Sequence, residues 1–224
     1  MAPAPLSRKP QRLSLADGVY DELMARLFDN TLEPGAPLNI DALSRDLDVS
    51  QTPIREALAR LESTGLVIRA ALKGYRVAPV LSPKELGDLL DARAVLEPVN
   101  AGLAAANVTA AFLRGLAESI DQLAASPTGP SFAEYHAYWE ADEQFHDLIA
   151  RQADNVFLYR AFEALGGQAQ RFRLFGGLGV SDAESAIAEH REILDALEAE
   201  DARRAHVAME RHVVNVRSRA LAES

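Results

Sequence analysis

From residue 81 to the C-terminus, apolar residues recur at helical spacing and no stretch alternates as a strand does. Such a segment can bury its apolar stripes only by packing helix on helix. Earlier in the chain the pattern is different. Leu15 to Thr31 predicts a helix with Val19, Leu23 and Leu27 on one stripe, and Pro34, Gly35 and Pro37 then turn the chain. A short second helix directs Ile40, Leu43 and Leu47 inward. After a turn at Asp48-Val49-Ser50, a third helix carries Ile54, Leu58 and Leu61, and Gly65 stands where a helix ends. Leu66 to Ile68 and Tyr75 to Val77 read as strands joined through a turn at Gly74. The expected organisation is a tail over 1–12, a small head over 13–80 and an all-helical bundle over 81–224.

The chain of 224 residues contains no cysteine, which excludes disulfides and thiolate metal sites and points to a reducing cytoplasm. The first dozen residues, MAPAPLSRKPQR, hold no apolar segment and read as a mobile basic tail rather than a signal peptide. The most apolar later stretch, around VLEPVNAGLAAANVTAAFL, carries Glu97 and two asparagines, so no membrane span is expected. Charge is unevenly divided. Residues 1–80 hold ten basic and ten acidic side chains, so the net −10 of the whole chain falls entirely on the bundle. Contact with a phosphate backbone needs only local positive charge. From Arg45 to Arg76 six basic residues stand against four acidic ones.

In the bundle, Ser82-Pro83-Lys84-Glu85 is a capping-box signature with proline in the first helical position. Breaks are expected at Ser126 to Ser131 and along the glycine-rich stretch Gly166 to Gly179. A second capping box, Ser181 to Glu184, opens a helix to about Ala199, and Asp201 begins the last one.

Two helices joined by a tight turn and followed by a β-wing form a winged helix-turn-helix, whose second helix enters the major groove of DNA. In VSQTPIREALARLESTGL the apolar stripe leaves Gln51, Thr52, Arg55 and Glu56 off the core face. Gln51 and Arg55 can make paired hydrogen bonds to adenine and guanine edges, while Thr52 and the helix N-terminus suit a phosphate. Arg45 is placed to touch the backbone, and Gly74 lets the wing tip approach closely. The same residues also fit an ordinary solvated face, so periodicity alone leaves both readings open. The run PGAPLNIDALSRDLDVSQTPIREALARLESTGLVIRAALKGYRVAPV resembles the N-terminal domain of the GntR regulators, through its PG, its VS-x-TP-x-RE-AL core and its GL. The resemblance implies binding of double-stranded operator DNA through Thr52 and Arg55. Family members commonly have arginine where this chain has Gln51, which makes Gln51 a specificity position.

Three bundle helices each place a histidine where the pattern calls for an apolar residue. Tyr138, Asp142, His146 and Ile149 share one face, Ile187, His190, Leu194 and Leu197 another, and Ala205, Met209, His212 and Val216 a third. His190 and His212 each stand 11 residues from Asp201, so in an antiparallel hairpin both lie about 16 Å from the turn and face one another. A divalent metal held by Asp142, His146, His190 and His212 would compensate so repeated a burial of polar groups. Each histidine taken singly reads better as a core residue satisfied by a neighbouring carbonyl or carboxylate. His136 and His206 lie off these stripes and are expected at the surface. Three imidazoles and a carboxylate suit zinc first, and also nickel, iron or manganese.

DLLDARAVLEPVNAGLAA, the D-x-x-x-H at Asp142 to His146, the ADN ending at Asn155, EHREILDALEAED and MERHV resemble the all-helical FCD domain of the FadR branch of that family. The resemblance implies that the four residues bind a metal at the floor of a cavity and that the effector is a small carboxylate. It also puts Arg93 in the cavity, paired to that carboxylate. The other reading of Arg93 is a helix-surface pair with Glu97. Arg171 and Arg173 are weaker lining candidates.

A helical metalloenzyme is the rival from another class. Glu143 and His146 form a Glu-x-x-His pair, but a di-iron bundle needs a second one, and Ile187 and Met209 occupy the positions it would require. Catalysis is therefore not expected. A regulator for which the metal is itself the signal stays open. The expected mechanism is a homodimer, paired mainly through the first bundle helices, whose two heads are respaced when an organic acid favours one arrangement.

Overall fold

The computed structural model describes residues 14–70, 74–128, 132–176 and 182–223, with the side chains of 132–136, 167–176 and 223 outside the description. Its elements run α1 (Leu15–Phe28), β1 (Pro37–Leu38), α2 (Ile40–Asp46), α3 (Gln51–Ser63), β2 (Val67–Ala70) and β3 (Gly74–Val77). The helices α4 (Pro83–Ala104), α5 (Ala110–Ala125), α6 (Phe132–Gln152), α7 (Val156–Gly176), α8 (Ala183–Glu198) and α9 (Ala202–Glu223) follow. The fold is mainly α, a winged helix-turn-helix followed by a helical bundle. The expected tail, residues 1–12, lies outside the described residues.

Ser14 starts α1 through a capping box with Asp17, its backbone N–H donating to Asp17 Oδ2 at 2.9 Å. The helix stops at Phe28, before the expected Thr31, because Asn30 takes a left-handed φ of 55°. Asn39 caps α2 by accepting from Ala42 N–H at 3.0 Å. The apolar stripe of α3 is buried as its spacing requires, with Ile54, Leu58 and Leu61 fully enclosed. Gly65, at φ 73°, closes α3 with the paired bonds of a Schellman turn, Leu66 N–H to Leu61 O and Gly65 N–H to Glu62 O.

The sheet has the order β1-β3-β2, all antiparallel, with Pro37 opposite Arg76 and Val67 opposite Val77. The periodicity gave no sign of β1, since two residues are too few to alternate. Its turn is instead pinned from β3, where the Arg76 guanidinium donates twice to Gly35 O at 2.6 and 3.0 Å.

Ser82 and Glu85 make the expected capping box on α4. At α8 the N-cap is Asp182, and Ser181 lies outside the described residues. Asp201 caps α9, accepting from Arg204 N–H at 2.9 Å. The glycine stretch departs from expectation, for α7 continues through Gly166 to Gly176. Gly166 answers a packing demand. A Cβ there would fall 2.8 Å from Glu143 Oε1 on α6. Two further breaks, at Thr109 and Asn155, are marked by side chains that cap α5 and α7.

Phe112, Leu116, Phe145, Ile193 and Met209 belong to the bundle core. The core of the head, around Leu23, Leu27 and Leu58, does not end at the head. It continues into Leu123 of α5 and into Tyr138 and Ala141 of α6. No helix among the described residues is long and apolar enough to cross a membrane.

Candidate metal centre and nucleic-acid interface

The buried stripe of α3 leaves Gln51, Thr52 and Arg55 exposed along its outer first turns, as their spacing predicts. Ser50 caps α3 without a side-chain hydrogen bond, so its hydroxyl does not occupy the first amides of the helix. Gln51 Nε2 donates to Asp41 Oδ1 at 2.5 Å, and Arg55 donates to Gln51 Oε1 at 3.2 Å. Asp41, which the sequence pattern did not single out, thus orients the amide of Gln51 from the first turn of α2. Arg45 is exposed in the last turn of α2. Gly74 is exposed at the start of β3, and its φ of 75° is a conformation that favours glycine.

In the bundle the three histidine stripes meet. His146 from α6, His190 from α8 and His212 from α9 are all buried, and each offers a ligating atom within 4.8 Å of the others. The His190 and His212 rings lie 4.7 Å apart between centroids, as the equal spacing from Asp201 predicts. Asp142 stands farther out, with Oδ1 3.7 Å from His190 Nε2.

Two of the imidazoles have a carboxylate beside Nδ1, but only His212 is hydrogen-bonded to it. Glu97 on α4 sets Oε2 2.8 Å from His146 Nδ1 and pairs with Arg93 on its other oxygen. Glu189 sets Oε2 2.7 Å from His212 Nδ1 and receives Arg219 at 2.9 and 3.1 Å. A proton held on Nδ1 by the carboxylate leaves the Nε2 lone pair for a metal. His190 has no such backing. Its ring stacks on Phe145 at 4.1 Å, and neither nitrogen meets a hydrogen-bond partner among the described residues. Both nitrogens of His146 are likewise without one, for Glu97 Oε2 lies near Nδ1 without hydrogen-bond geometry. Buried polar atoms are ordinarily satisfied, so this concentration of bare nitrogens fits a divalent ion.

Burial pushes His190 well below the ordinary imidazole range, and the charge of His212 adds to the effect against Asp142. Burial lowers His212 too, although Glu189 opposes it. Both rings are thereby neutral at pH 7, the form that ligates. Burial alone would raise Glu97, but Arg93 and His146 hold its carboxyl well below the usual range. Burial raises Glu143 against the pull of Arg93.

Arg93 does pair with Glu97, but in the interior rather than on the helix surface, its side chain being 11% exposed. His206 is half-buried and packs beside Gly102 of α4. His136, Arg171 and Arg173 have side chains outside the described residues. Sequence spacing missed the backing carboxylate Glu189. The signal was there, for Glu189 stands twelve residues before Asp201 and His212 eleven after it.

Residues 15–77 match the family described as bacterial regulatory proteins, gntR family, and residues 88–215 match the FCD domain. The chain belongs to the GntR family. This GntR regulator is 32% identical to a "Probable D-xylose utilization operon transcriptional repressor" of Paenarthrobacter nicotinovorans, over 92% of this chain and 89% of the relative. It is 25% identical to the HTH-type transcriptional repressor RspR of Escherichia coli, over 88% of this chain and 85% of that one. Its fold is that of E. coli McbR/YncC, with a TM-score of 0.70 and 23% identity over 93% and 98% of the two chains. The gntR segment of this regulator spans α1 to β3, and its FCD segment holds all three clustered histidines together with Arg93 and Asp142.

Proposed function

We propose that this GntR regulator is a homodimeric repressor whose affinity for operator DNA is set by a small carboxylate bound at a divalent metal. His146, His190 and His212 hold the ion, with Asp142 beside them, and Arg93 faces the carboxylate. The observation that carries this reading is the group of three buried imidazoles whose ligating atoms lie within 4.8 Å of one another. Zinc is the first candidate ion, with nickel, manganese and iron as alternatives. When bound, the ion supplies a Lewis-acid position for a carboxylate oxygen. Repression is the sense carried by the relatives' names, and the protein acts in the cytoplasm, where its DNA lies. No catalytic role is assigned to the site.

Three features of this chain support the remaining parts. Gln51, Thr52 and Arg55 project together from the start of α3, where base edges and phosphates are met, with Arg45 and Gly74 on the flanking elements. Val95, Val99 and Leu103 are exposed at successive turns of α4, an unpartnered apolar row that suits pairing with a second copy. Tyr138 stands one turn before Asp142 on α6 and is buried in the apolar cluster of the head. A ligand that fixes α6 is thereby felt at the DNA-reading domain, provided it binds one arrangement more tightly than the other.

The test is the melting temperature of the purified protein with small carboxylates, before and after metal removal, alongside measured metal content and operator binding. A carboxylate shift that vanishes on chelation supports the metal-anchored effector. A large drop on chelation with no carboxylate response overturns it in favour of the metal as structural element or signal.

A further inference from the structure

Six polar or charged side chains are buried among the described residues, and five of them have an evident purpose. Ser119 donates to Leu116 O at 2.8 Å, Glu97 bridges Arg93 and His146, and His146, His190 and His212 form the imidazole cluster. Asn100 is the exception. Its side chain on α4 is 1% exposed, and neither Nδ2 nor Oδ1 meets a hydrogen-bond partner among the described residues. A carboxamide left so carries its full desolvation penalty. Apolar packing on this stretch of α4 is already served by Ala101 and Ala104.

Its place on the helix gives it a use. Arg93, Glu97 and Asn100 stand at i, i+4 and i+7 and share one stripe of α4. Glu97 touches His146, so this stripe faces the imidazole cluster, and Asn100 lies one turn, about 4.5 Å along the axis, beyond it. The stripe thus carries the Arg93–Glu97 pair at one end and a bare amide at the other, with His146 set against Glu97. An amide presents one donor and one acceptor side by side. A hydroxyl matches both, whereas a second carboxylate would accept from Nδ2 but set its charge against Oδ1.

We propose that Asn100 is a specificity residue of the effector site and reads a hydroxyl of the bound acid. The effector is then a hydroxy acid rather than a plain or dicarboxylic one. This rests on the metal-anchored carboxylate reading given above and adds a residue and a ligand class to it.

Calorimetric titration of the full-length, zinc-loaded protein tests it with matched acids that differ by one hydroxyl: acetate and glycolate, propionate and lactate, butyrate and 2-hydroxybutyrate. In at least one pair the hydroxylated acid is expected to bind about tenfold tighter or more, because a site built to hydrogen-bond a hydroxyl rejects the analogue lacking it. Asn100→Ala should bring that ratio close to one while the plain acid still binds. A ratio that persists in Asn100→Ala, as an internal water on the amide would leave it, overturns the role of Asn100 and leaves the effector site standing. Equal binding within every pair in the unaltered protein does the same. Binding of no acid at all removes the effector reading and this one with it. Should Asn100→Ala fail to fold, Asn100→Leu carries the measurement, for an apolar side chain of similar size in place of an unpartnered amide should melt no lower than the parent. A lower melting temperature with the hydroxyl preference intact would mark Asn100 as structural.

Discussion

Glu189 Oε2 lies 2.7 Å from Nδ1 of His212, and the same carboxylate is gripped by Arg219. Glu97, paired with Arg93, lies 2.8 Å from Nδ1 of His146 but makes no hydrogen bond to the ring. His212 is thus oriented by an arginine-held carboxylate, His146 has an ion-pair partner at the same nitrogen, and His190 stacks on Phe145 with Asp142 Oδ1 3.7 Å away. Outer partners of this kind fix the tautomer and raise the basicity of a ligating ring.

Removing one of these partners should therefore weaken the metal without removing a ligand. Glu189→Ala is expected to lower zinc affinity by roughly 10- to 100-fold, read by competition with a chromophoric chelator. An unchanged affinity would mean that His212 is positioned by its helix alone.

His190→Ala should abolish stoichiometric metal and with it the rise in melting temperature that metal gives the parent protein. At a free ion concentration a hundred times its Kd that rise corresponds to about 2.7 kcal/mol. The metal-dependent rise is compared within each protein, because loss of the ring also removes its packing on Phe145. Elemental analysis and thermal melts of both forms give the comparison. A full complement of metal in the variant would exclude His190 as a ligand.

Acid should destabilise the protein before its carboxylates titrate. His190 and His212 are both lowered in the folded state from their unfolded value of 6.5. Below about pH 6.5 the unfolded chain takes up protons that the folded chain refuses, so stability falls as pH falls through that window. Metal competes with the same protons and should be released over the same range. Chemical denaturation at pH 7.5, 6.5 and 5.5 measures the trend. A flat profile would mean that these rings are as easily protonated folded as unfolded.

On DNA, Arg55→Ala should weaken operator binding by about 1–3 kcal/mol and relax preference at one base pair. Gln51→Ala should act chiefly on preference, since its amide is aimed by Asp41 and Arg55 together. Titrations against operators altered one base pair at a time would detect both. A loss equal across all sequences would make these residues backbone contacts.

What could be read in the sequence was whatever depends on spacing. Ile54, Leu58 and Leu61 are buried to the last atom because a helical period of apolar residues has few other ways to hide. His190 and His212 meet because a hairpin makes equal distances from its turn coincide. Contacts that depend on side-chain reach were not legible. β1 is two residues long, and the turn before it is held by a guanidinium from β3. Gly166 looks like punctuation in a sequence, yet it lies inside a helix as the space into which Glu143 extends. Glu189 is largely buried, yet in the sequence it reads as an ordinary solvated carboxylate until its three partners from α9 are seen.

The apolar cluster of the head draws in Leu123, Tyr138 and Ala141 from two bundle helices. A DNA-binding module joined to its sensor only by a linker would melt on its own, giving two transitions on heating. Here neither part can be undone without opening apolar surface belonging to the other. Heat should therefore take the whole chain down in one cooperative event, and polar substitution of Tyr138 should split that event in two.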